Sequence, residues 1–117
     1  MSQRTYLLGG EQTDFARNWS KEGKSILALM REATEAALEA TQVEPSEIEV
    51  AHVGNFAAEL YCMQGHLGAF VLEIDPAFAG LPTSRHEAAC ASGSIAALAA
   101  MSEIEAGRYG MALVLGV

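Results

Sequence analysis

Between residues 25 and 41, apolar side chains return every three or four positions: Ile26, Met30, Ala33 and Ala37, flanked by Leu27 and Leu38. Arg31, Glu32, Glu35 and Glu39 take the other side, so the spacing predicts an amphipathic helix. Four short apolar runs bounded by turn residues read as strands: Tyr6 to Gly10, residues 50–56, residues 82–89 and residues 111–117. A second helix is predicted over residues 61–74, stopped by Asp75-Pro76 and weakened by Gly65 and Gly68. A third is predicted over residues 91–106, with Gly107 as its C-cap. Residues 11–23 are polar and read as a loop anchored by Phe15 and Trp19. Pro45 ends the first helix region, and Ser46-Glu47-Ile48-Glu49 has the spacing of a capping box for one turn. Strands alternating with helices imply an α/β fold with right-handed crossovers and a largely parallel mixed sheet of about four strands.

The third helix departs from the amphipathic pattern. Over residues 95–101 it is apolar nearly all the way round, as in a helix covered on every side. One small sheet covers one face only, and the sequence stops inside an apolar strand at Val117. The expectation is a single incomplete domain over residues 1–117 that continues in a longer protein.

Composition narrows this further. The 117 residues suit one core, and 50% apolar with 19% charged residues is a globular balance. A formal net charge of −8, with scattered Lys and Arg, argues against a nucleic-acid face. Any anionic ligand would need locally placed basic groups. No signal-peptide pattern and no apolar run near ~20 residues is present, so no membrane span is expected. Two cysteines, Cys62 and Cys90, make no disulfide framework and suggest a reduced, cytoplasmic setting. Without paired cysteines or clustered histidines, no metal site is expected.

The chemistry converges on Cys90. It lies in His86-Glu87-Ala88-Ala89-Cys90-Ala91-Ser92-Gly93-Ser94, where an extended segment turns into a helix. Unpaired backbone N–H groups and the positive end of the helix dipole favour a thiolate there. Acyl transfer needs both a thiolate and donors for an oxyanion. The alternative for Cys90 is a small core residue at a tight turn. Ser92 and Gly93 fit the turn and close helix packing, and Gly93 could also let substrate approach the thiol. His86 shares a face with Cys90 only if the strand stays regular that far. Cys62 reads as a buried helical thiol, His66 as a capping or packing residue, and His52 as a strand residue inside the sheet.

The run from Arg85 to Val117, with Cys90-Ala91-Ser92-Gly93 in its strand–helix setting and Gly107-Arg108-Tyr109 beyond it, resembles the start of the thiolase family. It is most similar to the acetyl-CoA acetyltransferase branch akin to the thiolase domain of sterol carrier protein x. Val53-Gly54-Asn55-Phe56, Glu59-Leu60, residues 64–69 and residues 9–15 extend the resemblance over almost the whole chain. It implies a thiolase-like N-terminal half-fold, in which a buried Ala-rich helix carries Cys90. The resemblance also implies that Cys90 is acylated by a coenzyme A thioester, with no bound cofactor, in a homo-oligomer (dimer or tetramer). The family's Gly-His-Pro, Asn-Glu and Cys-x-Gly segments are expected downstream of Val117. His86 departs from the pattern, standing where the family has an apolar residue. Two other readings stay open: a non-catalytic fragment serving as an interaction unit, and a ketoacyl synthase or hydroxymethylglutaryl-CoA synthase relative. The residues 87–93 fit the thiolase branch better.

Overall fold

A computed structural model describes residues 3–117. In chain order the regular elements are α1 (Ile26–Thr41), β1 (Val50–Gly54), α2 (Ala58–Cys62), β2 (Thr83–His86), α3 (Ser92–Glu105) and β3 (Ala112–Gly116). The three strands form one parallel sheet in the order β2-β1-β3, with His52 beside Ser84 and Val114, and Gly54 beside His86 and Gly116. All five residues of β1 are buried, as a central parallel strand covered on both faces requires.

The two faces of the sheet differ. Ala51, Val53, Leu113 and Leu115 enter the main core with Met30 of α1 and with Leu67, Val71, Ile74 and Phe78 from the β1–β2 connection. On the other face α3 lies across β1 and β3, burying Ser92, Ala96 and Ala100. Its outward residues Ile95, Leu98 and Met101 stay 39–54% exposed. The helix is therefore uniformly apolar in sequence but two-sided in burial.

The ends of α1 follow the sequence closely. Ser25 Oγ accepts the Ala28 N–H at the start, and Gln42 takes a left-handed conformation at the end. Gly107 closes α3 as expected, at φ +73°. Three expectations fail. Residues 6–10 form no strand: Tyr6, Leu7 and Leu8 are 61–94% exposed, and no ladder joins them to β3. An apolar run becomes a strand only where a neighbour accepts its backbone groups. Here a cleft of about 640 Å³ lies between this segment, α1 and β3.

The predicted helix at 61–74 is instead broken. Short α2 ends in left-handed Met63, and left-handed His66 precedes a 3₁₀ stretch, Leu67–Glu73. Gly68 sets the path: a Cβ there would stand 3.1 Å from the Ser84 backbone. Arg31 of α1 then donates to the Glu73 and Ile74 carbonyls at 2.6 and 2.5 Å, satisfying groups at the end of this stretch that no following turn could reach. The third failure is the capping box. The turn is Pro45–Glu47, and Glu47 accepts the Glu44 N–H at 2.8 Å, because proline favours the first helical position. Glu49 instead accepts the Gly110 N–H at 2.8 Å, beside the start of β3.

Among the described glycines, the closest approach to another element's backbone joins β1 to α3. A Cβ on Gly54 would lie 2.7 Å from Gly93 Cα, Gly93 N and Ser92 C, all backbone atoms that cannot rotate away. A Cβ on Gly93 would meet nothing within 4 Å. Gly54→Ala is therefore expected to cost about 1–3 kcal/mol or more. Gly93→Ala should stay within about 1 kcal/mol of wild type, or gain from better helix propensity. Paired denaturant unfolding curves read the difference.

Candidate functional site at the beta2 to alpha3 turn

β2 ends at His86, and the chain reaches α3 through a 3₁₀ turn, Ala89–Ala91, with Cys90 at its centre. Ala89 is left-handed at φ +48°, a conformation costing a residue with a Cβ roughly 1–2 kcal/mol. Neighbouring hydrogen bonds hold it there. Ser92 Oγ accepts the Ala88 N–H at 2.9 Å and donates to the Ala89 carbonyl at 2.7 Å. The Glu87 carboxylate accepts the Ala89 N–H at 2.5 Å. Cys90 emerges from this clamp exposed to solvent, next to the first turn of α3. Within the described residues Cys90 thus stands outside the core.

The turn also breaks the strand register, so alternation does not carry His86 onto the side of Cys90. No hydrogen bond joins the two among the described residues. Ser92 is buried and builds the turn, whereas a Cβ on Gly93 would meet nothing within 4 Å. Cys62 proves exposed rather than buried, because α2 ends there in solvent. His66 is exposed and donates no side-chain cap; its carbonyl accepts the Ala69 N–H.

Asn55 was not marked by periodicity, yet it organises this end of the sheet. Its N–H donates to the His86 carbonyl at 3.1 Å, and its amide donates to the Val117 carbonyl at 2.6 Å. Its side-chain oxygen accepts the Ala58 N–H at 2.9 Å. One buried residue thus ties together the C-terminal ends of three parallel strands, the region where open α/β sheets place ligands. Arg85 adds a second tie from β2, pairing with Glu59 and donating to the Phe56 carbonyl at 2.9 Å. Its position before His86 in a Cys-containing turn was the one available signal.

Beneath α3 lies a polar cluster. His52 Nε2 is 2.7 Å from Glu103 Oε2, and His52 Nδ1 is 2.9 Å from His86 Nε2. Ser84 Oγ stands 3.1 Å from His52 Nδ1 and 2.9 Å from His86 Nε2. Burial pushes the His86 imidazole below its usual range, the nearby His52 ring lowers it further, and Glu103 opposes both. No three His, Cys, Asp or Glu side chains gather as a metal site among the described residues. No helix of the described structure is long and apolar enough to cross a membrane.

The family model for the N-terminal domain of thiolase matches residues 5–117. The chain belongs to the thiolase family. It is 35% identical over 114 residues to an acetyl-CoA acetyltransferase of Methanocaldococcus jannaschii, covering 95% of this chain and 27% of that protein. It is 29% identical over 111 residues to an acetyl-CoA acetyltransferase of Methanothermobacter thermautotrophicus, covering 95% of this chain and 28% of the relative. The chain thus spans about a quarter of the length of these thiolase relatives. The α/β architecture with its parallel sheet is that of a partial thiolase N-terminal domain.

The turn that presents Cys90 depends on one hydroxyl. Ser92→Ala leaves the Ala88 N–H without its acceptor and removes a donor from Ala89, so a loss of about 1–3 kcal/mol is expected. A lowered thermal unfolding midpoint, with Ser92→Thr closer to wild type, is the outcome to measure.

Proposed function

We propose that this chain carries the nucleophile of an acyl-CoA acyltransferase of the thiolase type. The single observation behind the reading is an exposed Cys90 on a clamped turn leading into α3, within a thiolase N-terminal domain. The two relatives are both named acetyl-CoA acetyltransferase, which favours an acetyl or short 3-ketoacyl group.

In this reading the Cys90 sulfur, deprotonated, attacks the carbonyl carbon of a coenzyme A thioester. Negative charge moves to the carbonyl oxygen, where N–H groups at a helix start are suited to receive it. The carbon–sulfur bond to coenzyme A then breaks, and the departing thiolate takes up the proton that Cys90 gave away. The acyl group remains as a thioester on Cys90, ready for a second acyl-CoA or for coenzyme A itself. The histidine of the family's Gly-His-Pro segment takes the Cys90 proton and returns it to the departing thiolate, while the cysteine of the Cys-x-Gly segment handles the carbon-bound proton of the second, condensing thioester. Asn55 and Ser92 act as positioning residues, and the open side at Gly93 admits the thioester. The complete protein works as a cytoplasmic homo-oligomer, a dimer or tetramer.

Incubating the full-length protein with isotopically labelled acetyl-CoA and mapping the adduct by peptide mass spectrometry tests this. Label is expected on the peptide holding Cys90, and Cys90→Ala should lower transferase activity by at least ~10³-fold. Cys62→Ser should retain both. Label found only elsewhere, or full activity in Cys90→Ala, overturns the reading.

A further inference from the structure

The face of the sheet under α3 is lined, on β1 and β2, by His52, Ser84 and His86, where small or apolar residues would pack a helix most simply. Three polar atoms, His52 Nδ1, His86 Nε2 and Ser84 Oγ, stand within 2.9–3.1 Å of one another. His52 is only 4% exposed, and its far nitrogen is held by Glu103 from α3. The chain of contacts runs from helix to central strand to edge strand, and ends four residues before Cys90.

An N···N contact of 2.9 Å has a strict proton requirement. One nitrogen must donate and the other must offer a lone pair. His52 Nε2 donates to the Glu103 carboxylate, so a single proton lies between His52 Nδ1 and His86 Nε2. Ser84 accommodates either placement, since its hydroxyl can donate to the bare nitrogen or accept from the protonated one. If both rings become imidazolium, two N–H groups and two positive charges face each other across 2.9 Å, and Ser84 Oγ, which can accept from both, does nothing to relieve the like-charge contact.

We propose that Glu103, His52, Ser84 and His86 form a proton-limited latch that clamps α3 to β1 and β2 and holds the turn carrying Cys90, and that double protonation of the two imidazoles opens it. The latch is a property of the fold and does not require Cys90 to be a nucleophile.

Other charged groups leave this cluster alone. β3 offers only Val114 beside His52. Arg85 is committed to Glu59 and the Asn55 and Phe56 carbonyls, and Glu87 to the Ala89 N–H. The remaining charge on α3, Glu105, is exposed. The desolvation that lowers His86 acts in the same direction as the proton limit.

The sign of the pH effect follows. Two free histidines titrate near ~6.5 and together accept two protons, whereas the closed cluster accepts at most one. Closure is therefore fully favoured above about pH 6.5 and is opposed as pH falls below it, by about tenfold at one unit lower for each excess proton. Replacing Glu103 by Gln removes the charge that supports the first proton. The closed state then takes up its first proton less readily, so opening should move to higher pH.

Hydrogen exchange of the full-length protein, followed by mass spectrometry and corrected for intrinsic rates, reads the latch on peptides spanning 83–93. In wild type, protection there should fall about tenfold between pH 7.5 and 5.5 while peptides of α1 change little. His86→Val, which keeps a strand-forming side chain but no proton site, should flatten that pH dependence. Glu103→Gln should shift the loss to higher pH. Constant wild-type protection over this range overturns the proposal, as does an unchanged pH midpoint in Glu103→Gln. None of these readouts uses acyl transfer, so a failed latch and a failed nucleophile are told apart.

Discussion

Everything near Cys90 depends on how closely the first turn of α3 approaches the end of β1. At Gly54 the two backbones are separated by less than a methyl group would need. In the same turn, Ser92 Oγ bonds Ala88 and Ala89, and these bonds hold Ala89 in its left-handed conformation. The exposed thiol is the visible end of this sequence of constraints. A glycine with no chemistry of its own thus sets how closely α3 can approach β1. The energy involved is modest, but it acts on the position of one atom.

Much of this was legible in the residue pattern. The amphipathic period of α1, the apolar run of β1 and the change from strand to helix around Cys90 each report burial directly, and all three stand where the pattern put them. The failures share a cause. Tyr6 to Gly10 has the composition of a strand, but composition does not supply a pairing partner. The connection from Tyr61 to Ile74 has enough apolar residues for a helix, but Gly68 must pass close to Ser84, which is a tertiary demand. Cys62 was read as buried from its residue type, although α2 is too short to bury it.

The site was less legible than the fold. Cys90 was found because its type and its strand–helix setting both point to reactivity. Asn55 was not, since an asparagine after a strand glycine looks like a turn residue until its three partners are known. The cluster around His52 was hidden for a different reason. Its members lie at positions 52, 84, 86 and 103, and only parallel pairing of β1 with β2, beneath α3, brings them together. His86 alone gave a hint, as a polar residue where the family carries an apolar one.

Asn55 uses both ends of its amide: the nitrogen donates to one strand and the oxygen accepts from the start of α2. A carboxylate has the same shape but no donor. Spontaneous loss of ammonia from this side chain would set a negative oxygen against the Val117 carbonyl, at the point where three strand ends meet.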